Sequence, residues 1–158
     1  MRHPVLNTVI ACLVILVITY GKFTGFINIL VIFILIPSTL KSLYFILIKQ
    51  KERKQRLIKL CLWTVTILAT CLHHLYLSKT SEQLANDVLS KINSYNSTTN
   101  NYPESLDIIN INPESTKEYY LIYSFNENSP FLYYRSTWMI YNGYQYDFDN
   151  KKWIYITD

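Results

Sequence analysis

The chain has 158 residues, half of them hydrophobic, and a formal net charge of +4. This length accommodates either one domain or a membrane region joined to a small domain. The net charge is an average over two unlike halves. Residues 1–77 carry nine Lys or Arg against one Glu, whereas residues 78–158 carry six Lys or Arg against ten acidic residues. Since the positive charge is concentrated in one short stretch, we predict no nucleic-acid binding.

Three apolar segments predict three transmembrane helices, at about 4–20, 25–48 and 60–77. The segment 60–77 contains no Lys, Arg, Asp or Glu. About 18 helical residues cross most of the roughly 30 Å hydrocarbon core of a bilayer. Pro37 and Lys41 interrupt the second segment, and the proline is expected to kink that helix. Residues 1–77 are therefore predicted to form a transmembrane region.

A basic loop, residues 49–59, separates the second and third segments. Loops this short and basic stay in the cytoplasm, which predicts a cytoplasmic N-terminus and residues 78–158 on the opposite side. In a bacterium these locations are the inner membrane and the periplasm. The cations fix this topology without any ligand, but they are also candidates for contacting the headgroups of membrane lipids. They are Lys49, Lys51, Arg53, Lys54, Arg56 and Lys59.

Residues 78–158 are predicted to form an α+β domain that begins with an amphipathic helix. Leu84, Val88 and Ile92 recur at helical spacing and form one apolar stripe. Thr80 to Gln83 fits a capping box, so this helix either continues the third apolar helix or restarts at Thr80. The polar segment 93–101 is expected to end it.

Four strands are predicted to follow as an antiparallel meander. Asn142-Gly143 is a favoured type I′ hairpin dipeptide, and Asn150-Lys151 is the next predicted turn. These turns would pair Tyr141 with Tyr144, and Phe148 with Trp153. The strands are residues 119–125, 131–141, 144–148 and 153–157.

Both predicted registers place five aromatic side chains on one face of the sheet, and we expect this face to form the core against the amphipathic helix. They are Tyr144, Tyr146, Phe148, Trp153 and Tyr155. Three further aromatic residues lie on no face that these turns define, namely Tyr119, Tyr134 and Trp138. Because Tyr and Trp bring a large, stiff contact area, these three are the candidates for an exposed partner-binding surface.

The chemistry of residues 78–158 favours binding over catalysis. This half contains no His and no Cys, so it lacks a base for Ser or Cys nucleophiles and the usual zinc ligands. We predict no catalytic residue, no cofactor and no metal. One alternative is an envelope enzyme that processes glycan through carboxylates, with Asp147 beside Glu118 or Asp149. Another is a structural membrane subunit that acts through its helices, where Pro37 and Lys41 would matter most.

The order of elements from residue 60 to 158 resembles that of type IV pilins and type II secretion pseudopilins. An apolar helix passes into an amphipathic one, and a polar loop, Tyr102-Pro103-Glu104-Ser105-Leu106 and a meander follow. This resemblance implies a pseudopilin-like exported domain and an accessory role in secretion or pilus assembly. The layout is also similar to that of small multi-spanning immunity proteins. The predicted function is therefore nonenzymatic binding of an envelope protein, either a toxin or a secretion component.

Overall fold

The computed structural model describes residues 4–48, 53–126, 129–139 and 141–157. The chain divides into two compact units, Met1–Leu75 and Tyr76–Asp158. Its helices are α1 (Pro4–Thr19), α2 (Gly25–Ile48), α3 (Arg53–Thr99) and α4 (Pro113–Lys117), with a 3₁₀ turn at Leu106–Ile109. Within the described residues, α2 and α3 are long and apolar enough to cross a membrane, whereas α1 has 16 residues. Length and composition thus support two of the three predicted spans.

The third helix begins earlier than the sequence predicts. It starts at Arg53, so the predicted loop 49–59 is wrong over its second part. Arg53, Lys54, Arg56 and Lys59 occupy the first turns of α3, which is consistent with the high helix propensity of Lys and Arg. Lys49 and Lys51 lie outside the described residues.

The same helix continues through Thr80, so of the two alternatives the continuous helix holds. Thr80 Oγ1 donates a hydrogen bond to the carbonyl of Tyr76, 3.0 Å away, so this hydroxyl bonds to the preceding turn and Thr80 is not an N-cap. Near the end, the Thr98 hydroxyl donates to the carbonyl of Ser94 in the same way. Asn100 then leaves the helix with a φ of 56°. The segment 93–101 therefore ends the helix as predicted, but residues 93–99 are still helical, because these hydroxyls are satisfied within the helix.

Four strands form one antiparallel sheet in the order β1-β2-β3-β4, which confirms the α+β class and the meander. The connection between the second and third strands is longer than predicted, and the bounds of all four strands differ from their predicted ranges. The strands are β1 (Leu121–Asn126), β2 (Ser129–Arg135), β3 (Asn142–Asp147) and β4 (Lys152–Thr157).

The predicted turn at Asn142-Gly143 is wrong, because both residues belong to β3. Arg135 pairs with Gly143, and Tyr134 pairs with Tyr144. The φ of Gly143 is not positive, so a turn does not explain the glycine. A β-carbon at this position would overlap the Cε2, Cζ and Oη atoms of Tyr133. The glycine therefore provides space for an aromatic ring on the neighbouring strand.

The second hairpin is shifted by two residues from its predicted register. Trp153 pairs with Tyr146 instead of Phe148, and Tyr144 pairs with Tyr155. A shift of two residues leaves every side chain on the same face. The aromatic residues therefore lie on the predicted face, although their predicted pairing is shifted.

This inner face packs on the second part of α3 and forms the core of unit 2. The Trp153 indole Nε1 donates to Asn86 Oδ1 at 3.0 Å, which joins β4 to α3. Tyr155, which was predicted to be core, is 48% exposed on β4, an edge strand of the sheet. The buried core consists of Ala85, Val88, Ile92, Leu106, Ile111, Leu121, Leu132, Tyr134 and Tyr146.

Candidate protein-binding surface

The face of the sheet opposite to the core carries large apolar side chains. Strand residues alternate between faces, so neighbours of the core residues point away from α3. The pairing aligns Ile122, Tyr133, Gln145 and Ile154 in one row across all four strands. We use the name outer sheet face for its apolar residues, which are Ile122, Phe131, Tyr133, Ile154 and Ile156.

Two side chains of the outer sheet face are exposed, and the other three are half-buried. Ile122 is 49% exposed and Ile154 is 42% exposed, on the two edge strands. Between them the rings of Phe131 and Tyr133 stack, with centroids 6.4 Å apart and planes inclined by 16°. An antiparallel sheet with one face in water normally carries polar residues on that face. An exposed apolar surface of this kind is typical of a site that a partner covers.

One rim of this face carries a cation. The Arg135 guanidinium lies over the ring of Tyr120, 5.3 Å from its centroid. Tyr120 has a φ of 47°, a left-handed conformation that is unfavourable for a bulky residue, and its side chain is 49% exposed. Strained residues of this type are found preferentially at functional sites. An apolar centre with Arg and Tyr at the rim is the composition favoured in protein interfaces.

The three predicted partner-binding residues do not form one exposed surface. Tyr134 is 6% exposed and belongs to the core, so its predicted exposure is wrong. Burial raises the pKa of its hydroxyl, and the nearby charge of Glu82 acts in the same direction. Tyr119 and Trp138 are both half-buried. Because Leu121 pairs with Tyr134, Tyr119 and Trp138 lie at the same end of the sheet.

Of the carboxylates considered for glycan chemistry, Asp147 and Asp149 share the β3–β4 turn, whereas Glu118 lies far from both. Asp147 Oδ1 accepts the backbone N–H groups of Asp149 and Asn150, each at 3.0 Å, and Oδ2 accepts from the Asn150 side chain at 2.7 Å. These bonds, chiefly that from the Asn150 side chain, lower the pKa of Asp147. Its carboxylate thus organises the β3–β4 turn. Glu118 precedes β1 and lies at the opposite end of the sheet, so the pair does not flank a cleft.

The described cations of the predicted basic loop lie in unit 1. The guanidinium of Arg56 is 4.5 Å from the centroid of the Phe45 ring, which ties the start of α3 to the end of α2. Lys59 lines a small cavity of about 150 Å³ together with hydroxyl side chains of α1 and α2, including Thr8 and Ser38. Arg53 and Lys54 are exposed.

No protein-family model, no curated protein and no solved structure matches this chain. Within the described part of the chain, no three His, Cys, Asp or Glu side chains lie close enough to share a metal ion.

The outer sheet face was missed at the level of sequence, although a signal for it exists. The run Trp153-Ile154-Tyr155-Ile156 is apolar at both alternating positions, so it offers an apolar side chain to each face. The predicted registers place Trp153 and Tyr155 in the core, and they say nothing of what covers Ile154 and Ile156. A strand that is apolar on both faces is expected to be buried on both, on one face by the helix and on the other by a partner.

Proposed function

We propose that this protein is a nonenzymatic bacterial inner-membrane protein whose C-terminal domain lies in the periplasm and binds an envelope protein. The observation that carries this proposal is the outer sheet face, an exposed apolar surface with an Arg–Tyr rim. The partner is a toxin that the domain neutralises or a component of a secretion or pilus machine. Both purposes require a stable binding surface and no catalytic group.

The composition and exposure of the helices support membrane insertion. In the most apolar 18-residue stretch of α2, only 6% is buried within the described structure. Side chains such as Phe33, Ile34 and Leu47 are 68%, 74% and 82% exposed. A helix in the core of a soluble protein would cover such residues, whereas lipid covers them in a membrane.

The proposed topology has three spans, with α1 added to α2 and α3. The basic residues of segment 49–59 are proposed to stay in the cytoplasm, where they also face anionic lipid headgroups. That orientation places unit 2 in the periplasm. A reporter fused after Asp158 tests it, because alkaline phosphatase should be active there and green fluorescent protein dark. The reverse pattern would contradict a periplasmic domain.

Binding through the outer sheet face is tested by introducing a charge at its exposed edge. Ile154→Asp should abolish a discrete crosslinked species formed by the wild-type protein in native membranes, because a buried unpaired carboxylate strongly opposes association. The free energy of unfolding should fall by about 1–2 kcal/mol, since Asp has a low strand propensity and Ile154 is partly covered in the free protein.

The matched control is Ile108→Asp, which makes the same chemical change on the 3₁₀ turn. Ile108 is 46% exposed, close to the 42% of Ile154, and it stands on the 3₁₀ turn, outside the sheet. The control variant should retain the crosslinked species. Equal loss in both variants would show that the charge acts without regard to the face, and equal retention would remove the outer sheet face as the binding site.

A further inference from the structure

We propose that one end of the sheet is anchored in the headgroup layer of the membrane, at a site separate from the outer sheet face. We call it the aromatic end, and it comprises the connection between β2 and β3 at residues 136–139 and 141, together with Tyr119. Met139 is 40% exposed and Tyr141 is 70% exposed. The inference rests on the proposed membrane span of α3.

Contacts within unit 2 place the start of β3 beside the first turns of the α3 segment in that unit. Tyr144, near the start of β3, stacks on Tyr134 with ring centroids 5.1 Å apart. Tyr146, further along β3, pairs with Trp153, whose indole Nε1 donates a hydrogen bond to Asn86 Oδ1 of α3. Tyr144 precedes Tyr146 by two residues, about 7 Å of strand or four to five residues of helix, so the start of β3 lies close to residue 82 of the helix.

The far end of β3 lies further along the same helix. A cavity there is lined by Tyr146, Phe148 and Lys151 on one side and by Asn93 and Ser97 of α3 on the other. The strand thus runs in the same direction as α3. The aromatic end, which precedes β3, consequently points back towards the beginning of unit 2.

The level of the aromatic end along α3 follows from standard geometry. Asn142 precedes Tyr144 by two residues, about 7 Å along a strand. A helix covers the same distance in about four to five residues. Counted back from Glu82, this places the aromatic end level with residues 77–78, where the charge-free run of α3 ends. The headgroup layer extends about 5–7 Å beyond the hydrocarbon core, so the aromatic end falls within it.

The side chains at this end match the chemistry of that layer. Trp and Tyr are enriched at membrane–water interfaces because the ring is apolar and its polar group remains hydrated. The exposed Met139 adds apolar contact. The occupant that this combination fits is the lipid headgroup layer itself.

Depth-dependent quenching of tryptophan fluorescence tests the inference on the full chain. The protein is reconstituted in phosphatidylethanolamine–phosphatidylglycerol vesicles whose acyl chains are brominated close to the headgroup. The chain has three Trp residues, Trp63 in the proposed span, Trp138 at the aromatic end and Trp153 against α3. Trp63→Phe is compared with Trp63→Phe/Trp138→Phe, which leaves Trp153 in place in both proteins.

The fractional loss of fluorescence should be at least about twofold larger when Trp138 is present, because an interfacial indole lies at the level of the bromines. Equal quenching of the two proteins would overturn the inference and would indicate that this end faces water or a protein. The Trp138→Phe protein, which keeps Trp63, separates the two proposals. If the Trp138→Phe protein is quenched but Trp138 adds no quenching in the Trp63→Phe pair, only the proposed anchor is refuted. If the Trp138→Phe protein is not quenched either, the proposed membrane span is refuted as well. Near-ultraviolet circular dichroism of each variant verifies that the aromatic core is intact.

Discussion

Replacing Gly143 tests why a glycine stands in the middle of β3. In Gly143→Ala the new methyl group overlaps the ring of Tyr133, which has to move away. Moving the ring ends its stacking on Phe131, which is worth about 0.5–1.5 kcal/mol. Because the φ of Gly143 is ordinary, alanine also restricts the unfolded chain and returns about 0.4–1 kcal/mol. The net change in the free energy of unfolding is therefore small, at most about 1 kcal/mol of destabilisation.

A double-mutant cycle with Tyr133→Ala separates the two contributions. Without the ring there is nothing to displace, so Gly143→Ala should stabilise the Tyr133→Ala protein by about 0.4–1 kcal/mol. The coupling energy between the two sites should accordingly be about 0.5–1.5 kcal/mol.

Urea unfolding of the full chain in detergent micelles measures these values. The Trp63→Phe background leaves only the two Trp residues of unit 2 to report on the sheet. If Gly143→Ala destabilised both backgrounds equally by more than about 1 kcal/mol, the glycine would be needed for its backbone conformation. The explanation by the Tyr133 ring would then be refuted.

Three further predictions concern the packing of unit 2. Ile92→Ala should lower the free energy of unfolding by about 2–4 kcal/mol in the same assay, because Ile92 is fully buried, whereas Ile108→Ala, at an exposed position, should change it by less than about 0.5 kcal/mol. Asn86→Ala should cost about 0.5–1.5 kcal/mol through the hydrogen bond to Trp153, and the same substitution in Trp153→Phe should cost less; equal costs would exclude that bond. The folded-state pKa of Asp147 lies below its ordinary value of 3.8, so its carboxylate stabilises the fold above that pH and this stability is lost as the pH falls through the lowered pKa. The stability difference between the wild type and Asp147→Asn should therefore be present at neutral pH and vanish in acid, and a constant difference would contradict the proposed role of the turn.

The face of each strand was predictable from sequence, whereas the position of the turns was not. Asn142-Gly143 is a strong local signal for a type I′ turn, and nothing nearby in the chain opposes it. The competing cause is the ring of Tyr133, which reaches Gly143 only once β2 and β3 pair. In the second hairpin the register error was two residues, and the period of a strand hides such an error from any argument about faces.

The site could be predicted only in part, for a related reason. Tyr134 was assigned to an exposed surface because no turn fixed the register of β2, and the pairing with Leu121 places it in the core. Tyr119 and Trp138 depend on the same register, which brings them to one end of the sheet. For α3, both the cap at Thr80 and the bond from Thr80 to Tyr76 satisfy the hydroxyl locally. Tertiary packing therefore decides between a break and a continuous helix, and the sequence alone does not contain that information.

The central claim is that the domain binds a protein through the outer sheet face, and two adjacent residues test it most directly. Ile154 and Tyr155 are 42% and 48% exposed, and they point to opposite faces of β4. A photo-crosslinking amino acid is placed at each position in turn, and the protein is irradiated in native membranes. The account predicts one discrete intermolecular adduct from position 154 and none from position 155. Adducts of equal yield from both positions, or an adduct from position 155 alone, would contradict it.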